Sequence, residues 1–170
     1  MKKISLNSLV LVIVWFALMD ASALTAQPSS EPSLVVEGDV QKPLKLGPSD
    51  LRNLKQTEVV AKDHGGQQRL YKGVSLFDIL SAAGVTLGSE LRGKNLLKYV
   101  AVKAADGYEV IFSLPEIDPE FTAQTILLAY EVDGQLLPKG EGPFRMVVPN
   151  DKKHARWIRE ITNIKVAFSK

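Results

Sequence analysis

The sequence predicts an α+β domain that is mainly β, and three observations carry this. Short segments of alternating apolar residues recur between turn signals, at Asp63-His64-Gly65-Gly66, Asp106-Gly107 and Asp133-Gly134. Helix-start signatures are few, and the helices they open are short. Strand-like and helix-like segments do not alternate regularly, which argues against a doubly wound parallel sheet. The reading comes to about eight or nine strands and two or three helices.

The elements follow in order. Leu34 to Val40 reads as a first strand, and Leu44 and Leu46 flank Lys45 in a short second one. Pro48-Ser49-Asp50 opens a short helix with Leu51 and Leu54 on one face. Thr57 to Lys62 and Gln67 to Lys72 flank the Asp63–Gly66 turn. Ser75 is a good N-cap with Asp78 three residues on, and Leu76, Ile79, Leu80 and Ala83 form one apolar stripe that Gly84 closes. Leu96 to Ala104 and Tyr108 to Ser113 form a hairpin about Asp106-Gly107. Ser113-x-x-Glu116, with Pro115, caps a helical turn. Thr125 to Val132 turns at Asp133-Gly134 into Gln135 to Leu137. Phe144 to Val148 is a short apolar strand, and Asn150 to Arg156 a polar, basic loop. Trp157 to Glu160 reads as a helical turn, and Ile161 to Phe168 as the last strand.

Residues 1–23 read as a secretory signal peptide, with cleavage after Ala23 or Ala26. Lys2 and Lys3 precede an apolar run from Leu9 to Met19, and small residues Ala21, Ser22 and Ala23 follow. The run is short of the roughly 20 apolar residues a spanning helix needs. The expected product is an exported, periplasmic or secreted protein whose mature chain does not insert in a membrane. Residues 24–33 form an unstructured lead-in and 34–170 a single domain. The chain has no cysteine. That removes a lipidated leader, a thiolate nucleophile, a thiolate metal ligand and a redox pair. Basic and acidic residues number 21 and 19, and Lys2, Lys3 and Asp20 belong to the leader. Such balance excludes a general nucleic-acid binder, which carries a basic stripe.

Chemistry-bearing motifs are sparse. Neither His64 nor His154 sits in a metal-binding spacing, and no phosphate-binding glycine loop or nucleophile elbow is present. Glu116, Asp118 and Glu120 lie in a Pro-bounded turn and read as capping groups and solvated charges, not an acid–base pair. The strongest constellation runs from Gly142 to Pro149 as an apolar strand. It delivers the chain to a loop bearing Lys152, Lys153, His154 and Arg156, with Trp157 at its base. Arginine offers phosphate a planar fork and lysine a mobile point charge. This loop is a candidate anion site, and a solvated charged loop beside a core tryptophan is the competing reading.

Three segments together resemble a known family: Asp106-Gly107-Tyr108-Glu109-Val110-Ile111-Phe112-Ser113, Gly142-Pro143-Phe144-Arg145-Met146-Val147-Val148-Pro149 and Ala155-Arg156-Trp157-Ile158. The segment Tyr71-Lys72-Gly73-Val74-Ser75-Leu76-Phe77-Asp78-Ile79-Leu80 fits the same pattern. The chain is similar to the oxidoreductase molybdopterin-binding domain of sulfite-oxidase-type enzymes, from about Leu34 to Val166. The resemblance implies mixed sheets around a cofactor cleft. It implies molybdopterin as a ligand, with Lys152, Lys153, His154 and Arg156 as pterin-binding positions and His64 near further contacts. In the full enzymes a cysteine thiolate holds molybdenum; here Val59 to Gly66 runs through without insertion or cysteine, so no cysteine-ligated metal is expected. Two functions follow. One is a module binding a pterin, another anionic small molecule or a protein partner, without oxo-transfer chemistry. The other is a molybdopterin-dependent oxidoreductase, or a subunit of one with a protein redox partner, that holds its cofactor through non-cysteine contacts.

Overall fold

The computed structural model describes residues 31–169, so the leader lies outside the described residues. Among the described residues ten strands form two five-stranded sheets, and their order decides where the loops converge. The first sheet has the order β2(Leu44–Leu46), β1(Leu34–Gly38), β10(Ile161–Phe168), β5(Lys98–Ala104), β6(Glu109–Ser113). Only β1 and β10 pair in parallel; the other pairs are antiparallel, so the sheet is mixed. The second sheet, β3(Gln56–Lys62), β4(Gln68–Ser75), β7(Leu127–Val132), β8(Gln135–Leu136), is antiparallel, and β9(Arg145–Val147) also pairs with β7. The architecture is the mainly β, mixed-sheet α+β fold that the sequence predicts.

The pattern of burial explains the pairing. Val110 and Phe112 point inward from β6 while Glu109, Ile111 and Ser113 point out, as period-two alternation requires. On β7, Leu127 to Tyr130 are all buried, as befits a strand paired on both sides. Gly73 on β4 is where the sheet closes up. A Cβ there would lie 2.0 Å from the Leu128 carbonyl oxygen, so only glycine lets β4 and β7 approach at their bulge. One hydrophobic core joins both sheets, with Val100, Phe112 and Ile164 from the first and Leu127 and Met146 from the second.

Two α-helices lie among the described residues, α1(Pro48–Asn53) and α2(Leu76–Ala82). Ser75 caps α2 as its side chain accepts from the Asp78 N–H. The far end closes with Gly84 at φ +72, where the N–H groups of Gly84 and Val85 donate to Ser81 and Leu80. Leu76, Ile79 and Leu80 are buried, so α2 is the helix that seals the core. No helix among the described residues is long and apolar enough to cross a membrane.

Three local expectations are corrected. The helical turn expected at Trp157–Glu160 is a 3₁₀ turn at His154–Arg156 instead. It closes there because the Trp157 N–H donates to the His154 carbonyl, and the Ile158 carbonyl is already taken by the Met146 N–H. The strand expected from Leu96 begins at Lys98, because Gly93–Leu97 forms a 3₁₀ turn. The strand expected from Thr125 begins at Leu127.

Candidate ligand-binding cleft

A strand of apolar residues carries one charge, and that charge forms the floor of a cleft. β9 pairs with β7, setting Arg145 opposite Ala129. Arg145 is 91% buried, since 9% of its surface is exposed. Its Nη1 donates to the Glu141 carboxylate. Its Nε–H is buried with no hydrogen-bond partner among the described residues. The guanidinium carbon lies 5.6 Å from the Tyr71 ring centroid and 5.5 Å from that of Trp157. Those rings meet edge-on at 5.7 Å. A buried donor without an acceptor costs about 1–3 kcal/mol, and native proteins rarely leave one. The Tyr71 phenol is pushed above its ordinary pKa chiefly by burial, with the Arg145 charge pulling the other way.

The walls come from opposite ends of the sequence. The β3–β4 turn contributes His64, and the loop after β9 contributes Lys152, Lys153 and His154. The His154 ring packs 4.3 Å from Trp157 and 5.8 Å from His64. His154 Nε2 lies 2.9 Å from the Lys62 carbonyl oxygen, which can only accept, so Nε2 carries the proton. Trp157 is buried, as the sequence predicts, and its indole N–H donates to the Val148 carbonyl at 3.0 Å. The cleft these residues enclose measures about 1550 Å³.

Charge in the cleft is arranged unevenly. Each of its four carboxylates has an arginine partner. Arg69 stands between Asp63 and Asp133, Arg145 holds Glu141, and Arg156 holds Asp151. The Leu70 N–H and Arg69 together keep the Asp133 carboxyl below its usual value. By contrast, Lys62, Lys152, Lys153 and Arg159 line the cleft with no ion pair among the described residues. The cleft is therefore a cationic hollow with an aromatic floor.

Four of the five residues singled out from the sequence line this cleft: His64, Lys152, Lys153 and His154. Arg156 does not line it. Its guanidinium forks onto Asp151 at 2.9 and 2.7 Å, donates to Glu116 at 2.8 Å, and lies 4.8 Å from the Phe112 ring centroid. The acidic turn serves structure as expected. Glu116 accepts from the Ser113 N–H, and buried Asp118 accepts from the N–H groups of Gly88 and Glu120. Sequence reasoning missed Arg145 and Tyr71 as cleft residues. A lone arginine inside Phe144-Arg145-Met146-Val147-Val148 was the available signal.

The donor set tests what the cleft can hold. A buried guanidinium at the floor, under cations that have no ion pair among the described residues, fits a ligand bearing a negative group. The same residues do not fit a thiolate-held metal, for the sequence has no cysteine. Among the described residues no group of three or more His, Cys, Asp or Glu side chains is placed to hold a metal ion.

Comparison with known proteins agrees with this architecture. No curated protein sequence matches the chain. Among solved structures, the sulfane dehydrogenase SoxCD from Paracoccus pantotrophus is similar in fold at TM-score 0.62 and 21% identity. The match covers 79% of this chain and 38% of that one, so this chain spans well under half the length of its structural neighbour. The model of the oxidoreductase molybdopterin binding domain matches residues 24–169, nearly the whole sequence. By that match and by its fold, the chain belongs to the oxidoreductase molybdopterin binding domain family.

Proposed function

We propose that this chain is an exported ligand-binding module whose cleft takes a planar, anionic ligand of the pterin class, without a cysteine-held metal. The observation that carries the reading is Arg145, a charge buried against Tyr71 and Trp157 at the cleft floor with its Nε–H unpaired among the described residues. The Nε–H itself is closed to solvent, so a negative ligand group would meet the small exposed part of the guanidinium that lines the cleft. Tyr71 and Trp157, themselves almost wholly buried, back the guanidinium at the floor, and Lys62, Lys152 and Lys153 line the same cleft, where they would face a negative substituent. Ligand clefts usually measure about 300–1,000 Å³, so this one has room for a group as large as a pterin with its phosphate. Bound molybdopterin would supply a redox-active heterocycle. The residues of this chain would bind it, orient it and shield one edge of it from water. Export rests on the leader-like pattern of residues 1–23.

A second reading is that the chain is part of a molybdopterin-dependent oxidoreductase, with non-cysteine contacts to the cofactor and a protein redox partner. The family match over residues 24–169 favours it. One experiment separates the two. The protein is purified from the exported fraction of cells that make the cofactor and assayed for released pterin and molybdenum. Pterin without metal supports the module. Near-stoichiometric pterin and molybdenum together support the oxidoreductase. Protein lacking both overturns the pterin assignment.

A further inference from the structure

The basic loop is braced more heavily than a solvated loop needs. Arg156 closes it by forking onto Asp151 and ties it to the first sheet through Glu116 and the Phe112 ring. Tyr108, on the β5–β6 hairpin, donates its hydroxyl to the Ala155 carbonyl at 3.0 Å. Glu116 is itself fixed by the Ser113 N–H at 2.6 Å. The Asp151 side chain is 18% exposed and lines the cleft, directly before Lys152. Left unpaired, that carboxylate would compete for the lysines. Burial works against the Arg156 charge, yet its two carboxylates hold its pKa well above the ordinary value, with Asp151 the larger cause.

From this geometry we propose that Arg156 is a positioning residue, one that sets the anion affinity of the cleft without touching the ligand. It does so by masking Asp151 and Glu116 and by holding the loop so that Lys152 and Lys153 remain uncompensated at the mouth. With Arg156 present, the side chains of Glu116, Asp151, Lys152, Lys153 and Arg156 sum to one positive charge; without it they sum to zero. A ligand approaching the mouth then meets two carboxylates as well as two lysines. The inference rests on the anion-binding reading of the cleft.

The test uses the whole exported chain and pterin-6-carboxylate as probe, titrated by fluorescence at several salt concentrations. Arg156→Gln should bind about tenfold more weakly and with a shallower salt dependence, as one charge lost near a partly shielded site warrants. Arg156→Lys keeps the charge but loses the fork, and should fall between the two. The decisive variant is Arg156→Gln combined with Asp151→Asn and Glu116→Gln. With no carboxylates left to mask, it should recover most of the lost affinity and the salt slope. A residue that contacts the ligand directly predicts no recovery, and such a result overturns the proposal. So does an unchanged affinity in Arg156→Gln. If the unsubstituted protein fails to bind the probe, the anion-binding reading falls first and the proposal with it. Should Arg156→Gln fail to fold, the triple variant set against Arg156→Lys gives the same comparison.

Discussion

Replacing Arg145 by Met separates a ligand-binding arginine from a structural one, because the two roles predict opposite effects on stability. Methionine matches the aliphatic stem of the side chain, ends short of the guanidinium and removes its charge. Removing the unpaired Nε–H should gain about 1–3 kcal/mol, the cost of leaving a buried donor unsatisfied. Two cation–π contacts, at 5.6 and 5.5 Å, are lost at about 0.5–1 kcal/mol each. Sulfur–aromatic contacts return about 0.3–1.5 kcal/mol. The Glu141 carboxylate loses its partner, but its side chain is 33% exposed and can rehydrate. The balance runs from about 0.7 kcal/mol less stable to about 3.5 kcal/mol more stable, as when a strained functional group is removed. A guanidinium that mainly holds the fold together would instead cost about 3–5 kcal/mol, the usual result of breaking a buried pair from one side. Urea unfolding of the purified chain measures the difference, and titration with pterin-6-carboxylate reads binding on the same samples. Arg145→Met should keep or raise the unfolding midpoint while probe binding drops at least about tenfold, the worth of one charged hydrogen bond. A loss of 3 kcal/mol or more would refute the reasoning, and so would undiminished binding.

Two further outcomes are expected. Trp157→Ala should cost about 3–5 kcal/mol of unfolding free energy, because it empties a buried site packed on Tyr71 and His154; a loss below about 1.5 kcal/mol would place the ring outside the core. Asp133 is held below its usual carboxyl pKa by the Leu70 N–H first and Arg69 second. Its contribution is therefore present above the unfolded value of about 3.9 and is lost as pH falls through the lower folded value. Asp133→Asn should lower the melting temperature at neutral pH, and the gap to the parent should close on acidification. A gap that persists unchanged at about pH 2 would mean the deficit does not come from its charge, since asparagine suits the φ +49 of this position as well as aspartate does.

How legible the fold was depended on how local its causes are. Ile161–Phe168 and Leu44–Leu46 are bounded in the structure where the apolar pattern bounds them, because alternation with one face buried sets a strand directly. The cap of α2 was equally readable, since Ser75, Asp78 and Gly84 act within about three turns of one another. The missed turn at Trp157–Glu160 has a non-local cause. Met146 takes the Ile158 carbonyl from across the sheet, and no local pattern announces that. The site followed the same rule. A run of Lys152, Lys153 and His154 is visible as a cluster in sequence, and all three line the cleft. Arg145 is visible only as an oddity within an apolar strand, and its meaning depends on Tyr71, which lies 74 positions earlier and meets it through the β4–β7–β9 pairing. Arg156 is the opposite case. It shares the composition of the loop, yet its charge is committed to Asp151 and Glu116, and the second of these is brought in by the hairpin of the first sheet.

The absence of cysteine bears on why such a cleft persists in a chain of this family. Nothing that forms the floor depends on a thiolate. β9 is fixed by its pairing with β7, Trp157 by the Val148 carbonyl, and His154 by the Lys62 carbonyl and the indole ring. Those are interactions of the scaffold, and a core arranged only for stability would gain by replacing Arg145 with an apolar side chain. The chain instead keeps a buried guanidinium with one N–H unmade, beside four cations that have no ion pair, among the described residues. Both features cost stability in the unliganded protein, the first through desolvation and the second through mutual repulsion. A single anionic ligand would offset the repulsion among the cations and face the charge of the guanidinium, which is the physical basis of the binding reading proposed above.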